Sequence, residues 1–152
     1  MSTPEERIAD LGLRIPEVAT PVAAYIPAVR SGNHIFTSGQ LPMRDGQLIL
    51  TGKVGGEVTQ EEAVECARQC ALNALAAVRA EVGDLSAVKR VVKGVVFVAS
   101  TPDFTGQPLV ANGVSELLGD VFGEAGRHAR SAVGVAVLPL DSPVEVELVV
   151  EV

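Results

Sequence analysis

The chain has 152 residues, 47% hydrophobic and 20% charged, and its mean hydropathy is +0.32. That length and balance fit one globular domain and exclude a disordered or fibrous chain. Twelve Lys and Arg against 19 Asp and Glu give a net charge of −7, a field that repels a phosphate backbone unless basic residues cluster. The nearest approach to a cluster is Lys89, Arg90 and Lys93, and with aromatics at 3% and no Trp the stacking platforms of single-strand binders are scarce. Nucleic acid is therefore a poor fit as a partner.

Met1 to Arg7 lacks the basic start and apolar run of a secretory signal, and no stretch approaches the ~18 apolar residues of a membrane span. A cytoplasmic protein with no membrane partner is the expectation. Thr3-Pro4-Glu5-Glu6 combines a cap residue, Pro at the first helical position and Glu three residues after the cap, which predicts a short helix ended by Gly12. From Thr20 to Pro27 the chain is rich in Pro and Ala. Ala28 to Gln40 then holds two extended runs broken by Ser31-Gly32-Asn33, a hairpin pattern. Arg44-Asp45-Gly46-Gln47 is a further turn before Leu48-Ile49-Leu50, a short third strand.

Thr59-Gln60-Glu61-Glu62 is a capping box, and Ala63, Ala67, Cys70, Ala71, Ala74 and Val78 recur at helical spacing until Gly83. Cys66 and Cys70 share a face of this helix and read as small core residues; His34 and His128 do not complete a metal site with them. Val88 to Ala99 is β-branched almost throughout and predicts a buried central strand. A second long helix follows over Leu109 to Phe122, stopped by Gly123. Ala132 to Leu138 is apolar on both alternating faces, whereas Val144 to Val152 alternates Val144, Val146, Leu148 and Val150 with Glu145, Glu147 and Glu151. With Pro139 to Pro143 turning between them, these two strands are expected to pair antiparallel.

The sum is one α+β domain over residues 1–152, with residues 1–20 as an amino-terminal extension. Two long helices cover one face of such a sheet, yet two of its strands are apolar on both faces. The uncovered face is therefore expected to pack on another copy of the chain.

There is no P-loop, GxGxxG, HExxH, CxxC or Gly-x-Ser-x-Gly elbow. What remains are polar residues bordering apolar strands: Tyr25, Ser38, Gly39, Gln40, Asn112, Arg127 to Ser131 and Glu145. Arg130 just before a strand can offer a guanidinium fork to a carboxylate, although a surface salt bridge leaves the same trace. Glu145 reads equally as a solvated edge or as a carboxylate inside an interface that needs a role. Ser38-Gly39-Gln40 is a turn whose backbone a small ligand can approach. Tyr25 and Asn112 also suit structural hydrogen bonds, and His128 reads as a loop residue.

Taken together, Tyr25, the block Gly32 to Pro42 with its Ser38-Gly39-Gln40-Leu41-Pro42, the block Ala129-Arg130-Ser131 to Leu138-Pro139, and Val144-Glu145-Val146-Glu147 resemble the RidA/YjgF family, also labelled endoribonuclease L-PSP, over residues 20–152. The resemblance implies a chorismate-mutase-like α+β fold: a mixed β-sheet of about six strands with two long helices on one face, assembled as a homotrimer with ligand clefts between subunits. It also implies hydrolysis of reactive enamines and imines such as 2-aminoacrylate to a 2-keto acid and ammonia. Arg130 then matches the substrate carboxylate clamp and Glu145 the residue that orients water. Tyr25, Ser38, Gly39, Gln40, Asn112 and Ala132 match positions that bind substrate, and no cofactor or metal is required. Deaminase-type members carry Arg-Ser-Cys-Val-Glu-Val where this chain has Arg130-Ser131-Ala132-Val133-Gly134-Val135, so a thiol and a carboxylate are missing. A trimer that binds a 2-keto acid without turnover is thus a second reading, and the ribonuclease of the family label a third.

Overall fold

The computed structural model describes residues 2–18 and 24–152; the first part of the Pro- and Ala-rich stretch from Thr20 lies outside them. The amino-terminal helix α1 (Pro4–Asp10) forms where its cap signals place it, with the Thr3 hydroxyl accepting from Glu6 N and the Glu6 carboxylate accepting from Thr3 N. It docks on the domain through buried Ile8, an Arg7 Nη1 donation to the Val121 carbonyl (3.0 Å) and a Leu85 N donation to Glu5 Oε1 (2.6 Å). The hairpin β1 (Ala28–Ser31) and β2 (His34–Thr37) turns at Gly32, whose φ of 60° favours glycine. A separate two-stranded ribbon, β3 (Met43–Arg44) and β4 (Gln47–Leu48), turns at Asp45-Gly46 and replaces the expected third strand over Leu48 to Leu50.

Helix α2 (Gln60–Val82) carries the full capping box of Thr59 and Glu62 and ends at Gly83. Its buried stripe includes Ala63, Cys66, Ala67, Cys70, Ala71 and Ala74, small side chains that let it lie close to its neighbours. Burial pushes the Cys66 thiol up to about 11 and the Cys70 thiol well above its usual range, so both are inert core residues. Helix α3 (Gln107–Phe122) meets α2 at Gly113, where a Cβ would overlap the Val64 carbonyl.

The main sheet has five strands rather than the expected six or so, because β3 and β4 pair only with each other; its order is β1-β2-β7-β5-β6, with β5 spanning Arg90–Ala99, β6 Ala129–Val135 and β7 Val144–Glu151. The expected antiparallel pairing of Ala132–Leu138 with Val144–Val152 is wrong. Instead β6 begins three residues earlier and runs parallel to β5, and β7 lies on the other side of β5, antiparallel to it and to β2. The cause is α3, a crossover that returns the chain to the end of the sheet where β5 began; a strand entered that way must run parallel to β5. The Leu138–Pro143 segment then passes over the end of β5, with Ala99 N donating to the Pro143 carbonyl (2.9 Å) and Lys53 paired with Asp141.

Both long helices cover one face of the sheet, where Ile35, Val96, Val98, Val144, Val146, Leu148 and Val150 are buried. On the other face Val29, Phe36, Val95, Phe97, Val133 and Val149 follow from the strand registers, and among the described residues no element packs over them. Val29, Phe36 and Val133 are 44–50% exposed, which matches the bare face expected from the sequence.

Gly113→Ala is expected to force α2 and α3 apart at a backbone contact and cost about 2 kcal/mol. Thermal unfolding would show a Tm lower by roughly 4–8 °C.

Candidate functional site

Arg130 is the second residue of β6, the edge strand, paired in register with Gly94. Gly94 is buried beside Leu148 on the helix-covered face, so Arg130 points toward α3. There its Nη1 donates to Asn112 Oδ1 (2.8 Å) and to Ser115 Oγ (3.1 Å). Asn112 and Ser115 are three residues apart and therefore adjacent on one side of the helix. Among the described residues no partner takes the Nη2 and Nε donors of Arg130, which leaves the two-pronged edge of the guanidinium for a ligand.

Ser115 also contacts His128, with Oγ and Nε2 3.0 Å apart, and His128 Nδ1 lies 2.7 Å from the Gly126 carbonyl. A carbonyl can only accept, so Nδ1 carries a proton, and in the neutral imidazole Nε2 then accepts from the Ser115 hydroxyl. A glycine fixes the far end of this chain of contacts. The imidazole edge lies over Gly94, and a Cβ at Gly126 would overlap the Leu118 carbonyl of α3. A cavity of about 290 Å³ opens here, lined by Ser115, Gly119, Gly126, Arg127, His128 and Arg130. Its charged lining is basic.

Ala132 follows Arg130 on the same face of β6, paired with Val96, and Gly134 follows it, paired with Val98. The space above Gly134 is filled from α3 by the amide of Gln107, which donates to the Phe104 carbonyl (2.8 Å) and Ser100 Oγ (3.3 Å).

Glu145 belongs to a second cluster. It sits on β7 opposite Phe97, on the face that no helix covers. Gln40 and Val146 exchange backbone hydrogen bonds of 2.8 and 3.0 Å, which lays Gly39 against Glu145 so closely that a Cβ would overlap Oε2. The Ser38 hydroxyl donates to the Ile26 carbonyl, Gln40 Nε2 donates to the Ser38 carbonyl (3.4 Å), and Tyr25 is the residue before Ile26 and 54% exposed. Burial, and then the neighbouring Glu147, raise the Glu145 carboxyl above its usual 4.5.

The predicted site residues therefore fall into two groups. Arg130, Asn112 and Ala132 share the groove between β6 and α3, while Glu145, Gly39, Ser38, Gln40 and Tyr25 share the end of β7 and β2. With β5 between β6 and β7, the two groups are about 10 Å apart across the sheet and about 10 Å along it, on opposite faces. One chain does not bring Arg130 and Glu145 together. Sequence reasoning missed Ser115 and Gln107 and passed over His128; the available signal for Ser115 was its helical spacing from Asn112.

A family model described as "YjgF/chorismate_mutase-like, putative endoribonuclease" matches residues 5–152. The chain is 49% identical to Protein TCP17 of Trypanosoma cruzi over 142 residues, 93% of this chain and 89% of that protein. It is 32% identical to a 2-iminobutanoate/2-iminopropanoate deaminase of Dermatophagoides farinae over 137 residues, 89% and 91% of the two chains. Among solved structures, Atu1372 of Agrobacterium tumefaciens superposes with a TM-score of 0.92 at 46% identity, covering 99% of this chain and 92% of that one.

Because the folded chain holds the Glu145 proton more tightly than the unfolded chain, this group favours folding at acid pH. That contribution is lost as pH rises through the raised value. A carbon-detected NMR titration of dilute protein is expected to place the Glu145 midpoint above 4.5, and Glu147→Gln should move it part of the way back. A midpoint below the usual value would mean that a cation from outside the chain reaches the carboxylate.

Proposed function

The chain belongs to the YjgF/chorismate mutase-like family, and from that premise we propose that it hydrolyses reactive enamines and imines of the 2-aminoacrylate kind to a 2-keto acid and ammonia. The observation that carries the reading is the Arg130 guanidinium, held through Nη1 by Asn112 and Ser115 with no partner on its other donors among the described residues. Such a fork suits a planar carboxylate. Binding the carboxylate fixes the neighbouring imine carbon, which is already electrophilic and needs only a positioned water. Water adds to the carbon, the carbinolamine forms, and nitrogen departs as ammonia; the reaction needs no cofactor. The similarity to the mite imine deaminase supports this chemistry.

Glu145 takes part only if another copy of the chain presents it to Arg130. The bare apolar face supports an oligomer, and the family resemblance implies a trimer with clefts between subunits. In that assembly Glu145, Gly39, Ser38, Gln40 and Tyr25 of one copy face Arg130, Asn112 and Ala132 of the next, and Glu145 orients the attacking water. One observation favours the second reading, a ligand-binding trimer without turnover: Ala132 and Gly134, paired with Val96 and Val98, stand where the resemblance implies a thiol and a carboxylate. The ribonuclease reading meets the opposing field of a −7 chain.

A coupled assay tests the proposal. A pyridoxal-phosphate dehydratase generates 2-aminoacrylate and keto acid formation is followed. Wild type is expected to accelerate it and Arg130→Ala to lose at least about 100-fold in kcat/KM; tight keto acid binding without acceleration would establish the binding trimer instead. Light scattering of wild type against Phe36→Glu should show the oligomer dissociate in the variant, since a charge on that face cannot be buried unpaired.

A further inference from the structure

We infer that Gln107 reads the side chain of the substrate and selects 2-imino acids whose short side chain ends in a neutral hydrogen-bond donor, a carboxamide above all; the inference rests on the imine-hydrolysis reading above. Two contacts set how α3 runs over β6. Asn112 and Ser115 of the helix meet Arg130, and Gln107, more than one turn earlier, fills the space above Gly134 with its Nε2. Helix and strand are therefore antiparallel. The guanidinium and the Gln107 amide stand at opposite ends of one groove, with the small residues Ala132 and Gly134 along its floor. Arg130 is held through Nη1, so its free Nε and Nη2 edge is on the side away from Ser115 and His128. Along β6 that side leads past Ala132 toward Gln107.

The Gln107 amide has a fixed orientation. Its Nε2 donates to the Phe104 carbonyl (2.8 Å) and to Ser100 Oγ (3.3 Å), and since a carbonyl only accepts, nitrogen and oxygen cannot change places. Both acceptors follow the end of β5, beyond Gly134 as seen from Arg130, so the nitrogen is drawn that way and Oε1 is left on the Arg130 side. Among the described residues nothing donates to Oε1, and it is not sealed from solvent. It can take a donor from a ligand. An anionic side chain would bring a carboxylate against this oxygen, and an apolar one would strip its water without replacing the hydrogen bond. A cationic side chain would enter a groove whose charged lining is basic. Length narrows the choice further: Arg130 to Gly134 spans roughly 13 Å of strand, and Gln107 to Asn112 roughly 8 Å of helix. Subtracting a hydrogen bond of about 2.9 Å at each end leaves at most roughly 7 Å for the ligand. Two or three carbons between the imine carbon and a terminal carboxamide nitrogen fill that length.

The test uses the full-length protein, an amino-acid oxidase that turns L-glutamine, L-norleucine and L-glutamate into their imines, and semicarbazide to trap what is left unhydrolysed. Wild type is expected to hydrolyse the glutamine imine with a kcat/KM at least about 10-fold above that for the norleucine imine, and further above that for the glutamate imine. Gln107→Met keeps the length of the side chain but presents no carbonyl, and it is expected to bring the glutamine-to-norleucine ratio close to one. A merely structural Gln107 would lower both rates together and leave the ratio as it was, which overturns the inference. So does a wild type that hydrolyses both imines equally, a result that leaves imine hydrolysis standing; this comparison needs no variant and holds even if Gln107→Met unfolds. If wild type accelerates none of the imines, imine hydrolysis fails, and calorimetry of 2-oxosuccinamate against 2-oxopentanoate decides on Gln107. Carboxamide binding at least about 10-fold tighter in wild type, with the preference lost in Gln107→Met, upholds the reading of the side chain; equal affinities overturn it.

Discussion

The parallel pairing of β5 with β6 through the α3 crossover is the constraint on which the arrangement of functional groups depends. It brings the start of β6 beneath the middle of α3, so that Arg130 meets Asn112 and Ser115 from the helix. It also fills one edge of β5, which sends β7 to the other edge. Glu145 thereby lands beside Phe97 on the face away from the helices. A hairpin between the last two strands would have placed Arg130 and Glu145 on neighbouring strands. The observed topology separates them by a strand and a sheet face, and an assembly of several copies becomes the route by which both could act on one molecule.

Small residues set how closely these parts approach. Gly113 lets α3 touch the backbone of α2, and Gly126 lets the following loop touch α3. Each contact is between backbone and backbone, so little side-chain freedom remains to absorb a change. Arg130 inherits that rigidity. Its partners sit on a helix fixed from both sides, and a guanidinium already ordered loses less freedom when a ligand arrives.

The helices were legible in the sequence because their signals are local. Thr3, Thr59, Gly83 and Gly123 mark ends through hydrogen bonds to residues a few positions away, and the Ala and Cys stripe of α2 announced a close-packed face. The pairing of the last two strands was not legible, since alternation records which residues share a face and says nothing about which strand lies alongside. Arg130, Asn112 and Glu145 stood out as polar residues at strand borders and through the family resemblance. Ser115 and His128 did not, because a helical serine and a loop histidine each have ordinary explanations. Their connection exists only once α3 lies over β6.

The departures from the deaminase-type pattern acquire a physical account in the groove between β6 and α3. Where those relatives carry a carboxylate at the position of Gly134, this chain leaves a gap and fills it with the Gln107 amide from the helix. A neutral group replaces an anionic one, and Ala132 replaces the thiol without adding charge. The groove thus keeps the cation at Arg130 and lacks an acidic group four positions along the strand, so its field toward an anionic ligand is less opposed. The substitutions that seemed to weaken the resemblance therefore leave the Arg130 guanidinium and its Asn112 and Ser115 partners in place. They relocate the remaining polarity to α3, the element that also supplies Asn112 and Ser115.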